Sequence, residues 1–259
     1  MARYDDFTLQ ELMAVAAARE IKDGEKVLIG TGLPLLGAIL AQKTHAPNMV
    51  AIYESGAIDC KPLVTPFSVA DSVLAPGSAM QGGLIEGLGM VHAGDIDVGF
   101  LGGAQIDKYG NLNTHVIGDY RRPQVRFAGS GGNNDIGAGC KRTIVMMLHQ
   151  KRRFPERVDF ITTPGYLSGK GQREKLHLPG GGPSVVVSTL GILRFHPDTR
   201  EMYLESHHPG VTIEMIKGNT GWNLTIADPI RETERPAPDL IRILREELDP
   251  TGIFLKKAE

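Results

Sequence analysis

The chain has 259 residues, enough for one large α/β domain with a substantial core, and we read 1–259 as a single domain. Its 28 Lys and Arg against 30 Asp and Glu give a net charge of −2, which excludes the broad basic footprint of a protein that binds duplex nucleic acid or an anionic membrane. Two cysteines, Cys60 and Cys140, lie outside any CxxC or CxxH spacing, and there is no run of about 18 apolar residues. A disulfide scaffold, a structural zinc site and a membrane span are therefore not expected, and the cytoplasm is the expected compartment.

Thr8 with Glu11 forms a capping-box pattern, and Leu9, Leu12, Met13, Ala16, Ala17 and Ile21 recur at helical spacing until Asp23-Gly24. Residues 26–29 then read as a strand, Gly30-Thr31-Gly32 as a turn and 35–43 as a second helix. Further strands are expected at 49–53, 97–101, 125–128, 143–148, 158–162 and 184–188. These runs are apolar throughout rather than alternating, as in strands covered on both faces, so the expected architecture is an α/β fold with an open, mainly parallel, doubly covered sheet. Residues 191–204 read as a hairpin and 238–248 as a closing helix, while 167–183, rich in Gly and charge, reads as a surface excursion.

In open parallel sheets ligands gather beyond the carboxyl ends of the strands. The loops there carry Tyr53-Glu54-Ser55-Gly56, Gly102-Gly103-Ala104-Gln105, and Gly129-Ser130-Gly131-Gly132-Asn133-Asn134. A glutamate at a strand tip can be a solvated loop carboxylate, or a nucleophile or base. A glycine bend can be a plain turn, or a set of N–H groups facing an anion. Gly30-Thr31-Gly32 with Gly37 lacks the spacing of a dinucleotide fingerprint, which argues against NAD binding. Cys60 and Cys140 read as small buried hydrophobes, and Lys151-Arg152-Arg153 as a solvated charge run that could also meet a ligand phosphate or a partner chain. His149, His207 and His208 have no metal-ligand spacing, so no metal is expected.

Taken in order, Gly30-Thr31-Gly32-Leu33-Pro34, Glu54-Ser55-Gly56 with Asp59-Cys60, Gly102 to Asp107 with Tyr109-Gly110-Asn111, Gly118-Asp119-Tyr120 and Gly129-Ser130-Gly131-Gly132 resemble the small subunits of the glutaconate branch of class I CoA-transferases. Tyr53-Glu54-Ser55-Gly56 departs from the Ser-Glu-Asn-Gly of the oxoacid branch. The resemblance implies a sugar-phosphate-isomerase-like sheet and a homologous large (alpha) subunit in an αβ or α2β2 assembly. It also implies CoA thioesters as substrates rather than as a resident cofactor, and no nucleic acid or membrane partner.

By the same resemblance Glu54 is the nucleophile of a ping-pong transfer, passing through a glutamyl-CoA thioester and acting on a dicarboxylic acid such as glutaconate. Gly131 is then a catalytic oxyanion donor together with the Gly132 N–H, and Gln105, Asn111, Gly129, Ser130 and Gly132 bind substrate or CoA. Acyl-CoA hydrolysis or decarboxylation on the same fold is the alternative activity. A ligand-sensing module is disfavoured because no helix-turn-helix precedes the first strand.

Overall fold

The computed structural model describes residues 4–255, which form two compact units, one holding the residues up to Phe100 and those from Glu234 onward, the other spanning Leu101–Thr233. In the first unit α1 (Leu9–Arg19) begins at the expected capping box: the Thr8 hydroxyl accepts from the Glu11 N–H at 3.2 Å, and the Glu11 carboxylate accepts from the Thr8 N–H at 2.7 Å. β1 (Lys26–Ile29), α2 (Leu33–Lys43), β2 (Val50–Tyr53), β3 (Ala57–Ile58), β4 (Met80–Gln81), α3 (Leu84–His92) and β5 (Val98–Leu101) follow. β5, β1 and β2 pair in parallel, with Val27 opposite both Val98 and Ala51, and β3 and β4 add antiparallel strands beyond β2. Burial is continuous along β1, β2 and β5 apart from the first residue of β1 and β2, as double coverage requires.

In the second unit β6 (Gln105–Ile106) pairs with β7 (Leu112–Asn113), and β8 (Val116–Gly118) with β9 (Pro123–Arg126). After α4 (Asn133–Gly139) come β10 (Arg142–Met147), α5 (Gln172–Lys175), β11 (Pro183–Ser188), β12 (Gly191–Phe195), β13 (Met202–His207), α6 (Ile213–Gly218) and β14 (Thr225–Glu232). β10 and β11 are parallel, β11, β12 and β13 antiparallel, and β13 and β14 parallel. The expected hairpin at 191–204 is therefore present as β12 and β13.

The chain then returns to the first unit as α7 (Pro238–Arg242) and a π-helical segment, Ile243–Leu248. From that segment Arg245 forks onto Glu11 at 2.6 and 2.9 Å. Burial alone would raise the Glu11 carboxyl, but the Arg245 fork and the Thr8 bonds outweigh it and hold the group below its ordinary value.

Three expectations are corrected. Residues 125–128 do not join a buried sheet: β9 pairs with β8 alone as a two-stranded ribbon, in which Val125 and Phe127, alternating with Gln124 and Arg126, stay exposed. Residues 158–162 form no strand. Asp159 there is held by side-chain bonds instead, and the neighbouring Thr163 makes an isolated bridge to Leu112. The stretch 167–183 is no simple surface excursion, because it contains α5 and the buried Arg173. That guanidinium donates to five backbone carbonyls, those of Gly137, Ala138, Pro164, Gly165 and Gly180, at 2.9–3.1 Å.

Candidate active site

Glu54 sits where β2 ends, half-buried, in the turn that leads into β3. The Gly56 N–H donates to the Tyr53 carbonyl at 2.9 Å and closes the turn, and the Gly82 N–H caps the Gly56 carbonyl at 2.8 Å. Gly56 has φ +92°, and a Cβ there would collide with the backbone of Gly82 and Gly83. On the other side Gly87 of α3 lets the helix approach so closely that a Cβ would stand 2.9 Å from the carbonyl oxygens of both Tyr53 and Glu54. Glu86 fixes the start of that helix by accepting from the Gly83 N–H at 2.6 Å. The Glu54 backbone is therefore held by the strand, by the turn bond and by a helix.

Beneath it Tyr53 is fully buried, its hydroxyl without a hydrogen-bond partner, and burial pushes its phenol far up, with Cys60 adding to the shift. Cys60 is also fully buried, its thiol pushed up to about 11 by burial and then by Asp59, so it is a packing residue rather than a thiolate. Cys140 likewise rises to about 12 through burial. Both cysteines are free and buried, as the sequence reading expects.

The other expected site residues belong to the second unit. Gln105 is buried in β6 with its side-chain amide already bonded: it donates to Asp159 at 3.2 Å and accepts from the Asn113 amide at 2.7 Å and the Asp159 N–H at 3.1 Å. Asn111 donates to both Asp107 oxygens and to the Leu167 carbonyl, and accepts from the N–H groups of Gly165 and Leu167. Burial raises the Asp107 carboxyl although Asn111 and Tyr109 donate to it. Within this chain the two amides brace loops. Of the two carboxylates that anchor them, Asp107 enters the sequence reading only as the end of the motif 102–107 and Asp159 only within the expected strand 158–162. The signal for Asp107 lies in its spacing to Tyr109 and Asn111, which allows a carboxylate to accept from backbone N–H groups two and four residues on.

The segment Gly129-Ser130-Gly131-Gly132 is a bend leading into α4. Gly129 and Thr114 clasp each other, N–H to carbonyl at 3.2 Å and hydroxyl to carbonyl at 2.8 Å. The Ser130 carbonyl accepts from the Asn133 N–H at 3.0 Å, and Gly132 precedes the first helical residue. Gly131, at φ +51°, has no other atom within 4 Å of where a Cβ would lie, so its side-chain face is open.

Residues 10–219 match the Coenzyme A transferase family. A glutaconate CoA-transferase subunit of Acidaminococcus fermentans is 43% identical, over 99% of this chain and 98% of that protein. A 3-oxoadipate CoA-transferase subunit of Pseudomonas knackmussii is 40% identical, over 92% of each. The crystal structure of glutaconate coenzyme A-transferase from Acidaminococcus fermentans superposes with a TM-score of 0.92 at 41% identity, covering 98% of this chain and 99% of that one. With an α/β fold, a carboxylate on a pinned strand-tip turn and likeness along nearly its whole length, this chain is a CoA-transferase subunit and belongs to the Coenzyme A transferase family.

Proposed function

We propose that this chain is the catalytic subunit of an acyl-CoA:carboxylate CoA-transferase in which Glu54 carries the acyl group and then CoA. The observation that carries this reading is the carboxylate at the tip of β2, its backbone immobilised by Gly56 and Gly87, in a chain of this family. A Glu54 oxygen attacks the thioester carbonyl, the C–S bond breaks, and an acyl-glutamyl anhydride and CoA thiolate result. The thiolate attacks the glutamyl carbonyl and expels the first acid, leaving a glutamyl-CoA thioester. The second carboxylate reverses these steps and leaves as its CoA ester.

In this reading the Gly131 and Gly132 N–H groups serve as oxyanion donors, and the open face of Gly131 supports that role. Gly129 and Ser130 shape the bend, and Gln105 and Asn111 act by holding the loops that meet substrate or CoA. The names of the two similar proteins refer to dicarboxylic acids, which supports a dicarboxylic substrate such as glutaconate. Both are named as subunits of their enzymes, which supports assembly with a homologous large subunit as αβ or α2β2. Leu63, Val64, Phe67, Leu84 and Ile85 are large apolar side chains exposed in the first unit, Leu63 at 97%, which supports a partner that would cover them.

The test is trapping. Incubated with acyl-CoA and no acceptor, the assembled enzyme should accumulate a Glu54 thioester that borohydride reduces to the alcohol, with irreversible inactivation and a mass change on the peptide containing Glu54. Glu54→Gln should abolish labelling and transfer while acyl-CoA binding survives. An unmodified Glu54 after complete acyl-CoA-dependent inactivation would refute covalent catalysis. Net CoA release without exchange would make the enzyme a hydrolase.

A further inference from the structure

The basic run Lys151-Arg152-Arg153 sits on a turn that the second unit braces from behind. The N–H groups of Arg153 and Phe154 both donate to the Gln150 carbonyl, at 2.7 and 3.1 Å, and the Arg153 carbonyl accepts from the Ile106 N–H at 2.8 Å. Phe154, fully buried, stacks on His149 at 3.8 Å, and its carbonyl accepts from the Gly221 N–H at 2.7 Å. His149 Nε2 in turn lies 3.0 Å from the Thr220 hydroxyl. A turn held this firmly presents its cations in fixed places. Arg152, which is exposed, is steadied further by the bond from its Nε to the Gln150 side chain at 3.2 Å.

Arg152 and Arg153 border a cavity of about 360 Å³ whose other lining residues are Ala104, Ile117, Val125 and Phe127. Ile117 and Val125 are cross-strand partners in the β8–β9 ribbon and Phe127 lies two residues on, so the three share one face, and Val125 and Phe127 are exposed on it. The two edges of the ribbon differ. That of β8 is closed by side chains: the Asn113 amide bonds both the N–H and the carbonyl of Val116, and Asp159 accepts from the Gly118 N–H at 2.9 Å. On β9 the Phe127 N–H turns inward to the His115 carbonyl at 2.8 Å, so Arg126 directs its backbone groups outward, where no strand pairs with them. Open strand edges and clustered apolar side chains are what folded proteins ordinarily cover.

The charge around this face has one sign. Arg121, Arg122 and Arg126 of the ribbon and Arg152 and Arg153 of the turn make no ion pair among the described residues, whereas Lys108, Lys170 and Arg194 of the same unit each meet a carboxylate. The acids nearby are already engaged: Asp119 accepts from the N–H groups of Arg121 and Arg122, and Asp159 from Gln105 and Gly118. We propose that this face docks the large subunit, which covers it with an apolar side chain seated among Ile117, Val125 and Phe127 and with carboxylates set against Arg152 and its neighbours. The inference rests on the reading of this chain as one subunit of a heteromer, and adds which surface of the second unit carries the contact. Aromatic side chains and arginines are what protein interfaces concentrate. A second copy of this chain would set the same arginines against one another, and like charges oppose that pairing. A phosphate site gathers backbone N–H and hydroxyl donors, and no residue lining this cavity has a hydroxyl.

Dissociation of the assembled enzyme on dilution, followed by mass photometry, tests this. Phe127→Asp should weaken assembly by about 30-fold or more and Arg152→Glu by about tenfold or more, the scale of a lost interface anchor and of a reversed charge. Leu176→Asp, at an exposed apolar residue of the same unit that does not line this cavity, should stay within about threefold of wild type. The fluorescence of Trp222 shows that each variant is folded. Arg152→Lys keeps the charge and supplies an amine, so carbodiimide treatment of that assembled variant should join position 152 to a carboxylate of the large subunit through a new amide bond.

Assembly within about threefold of wild type in either Phe127→Asp or Arg152→Glu overturns the proposal. If Arg152→Glu lowers the affinity for CoA while assembly holds, the turn is a phosphate site instead. A cross-link at position 152 that is absent, or that joins two copies of this chain, overturns the proposal as well. Failure of the heteromer reading looks different, because wild type would then form no complex with a large subunit at any concentration.

Discussion

The two units hold themselves together differently inside. The first is buried almost entirely through aliphatic side chains of α1, α2, β1, β2 and β5, and of the buried polar side chains among the described residues only Glu11 and Asp249 belong to it. The second buries Gln105, Asp107, Asn111, Asn113, His149, Arg173, Ser188, His208 and Thr233, among others. An apolar interior tolerates small geometric errors at the cost of area; a polar one loses a full desolvation penalty for each bond that breaks. The first unit therefore positions one carboxylate by packing and glycine contacts, whereas the second positions loops by hydrogen bonds that must all be made together.

That contrast is most open to challenge at Arg173. Arg173→Ala takes a donor from five carbonyls, of which only that of Ala138 also accepts a backbone bond among those described, from the Gly180 N–H at 2.7 Å, and with each unsatisfied buried group costing roughly 1–3 kcal/mol, a loss of about 3 kcal/mol or more is expected even after water enters. Trp222 is the chain's single tryptophan and lies in the second unit, so the urea midpoint of its fluorescence measures this loss directly. A shift of the midpoint equivalent to less than about 1 kcal/mol would show that the cage is solvated and the contrast overstated.

The next effect is acid sensitivity. His208 is fully buried, and its Nε2 lies 2.7 Å from the Ser188 carbonyl, which makes Nε2 the protonated nitrogen and Nδ1 the acceptor for Thr233. Burial pushes His208 down from 6.5 to about 4, against the bond to Ser188, and burial followed by the nearby His208 pushes His149 to about 3. These are depressed folded-state values, so the unfolded chain takes up the protons first. The stability they confer is complete above pH 6.5 and is lost as pH falls toward 4 and then 3, by up to about 1.4 kcal/mol per pH unit for each histidine. Trp222 stacks near Phe154, which stacks on His149, so its emission should report unfolding in this window. His208→Gln should flatten the profile, and an unchanged profile would remove His208 as its cause.

The smallest effect is expected in the first unit. Thr8→Ala removes an N-cap from α1 at a typical cost of about 1 kcal/mol, because the apolar face of the helix remains packed. Differential scanning calorimetry of the variant should show a small shift only. A loss as large as that of Arg173→Ala would mean that the capping box and the Arg245 fork act as one polar unit after all.

What was legible in the sequence follows the same division. β1, β2, β5, β10 and β11 were readable because double burial demands uninterrupted apolar runs, and α1 because its cap and periodicity are local. Glu54 was findable as the residue after such a run. Arg173 was not, since arginine is rarely buried and its carbonyl partners come from residues as far as 36 positions away. Val125 and Phe127 looked like a buried strand because alternation over so few residues is too short to distinguish a ribbon from a core strand. Gln105 and Asn111 attracted attention as loop amides, yet their bonding capacity is spent on Asp159, Asp107 and neighbouring backbone, and no local pattern reveals that.

The glycine contacts around Glu54 also bear on torsional freedom. Strand, turn and helix leave the main chain of residue 54 almost no play, so the motion available to its carboxylate is confined to rotation about its side-chain bonds. In the proposed reaction one carbon atom must face an acyl thioester, a thiolate and a free acid in succession. A fixed anchor can meet each of these partners at one place without the loop itself having to order or relax, so the entropy of ordering a loop is not lost at each step.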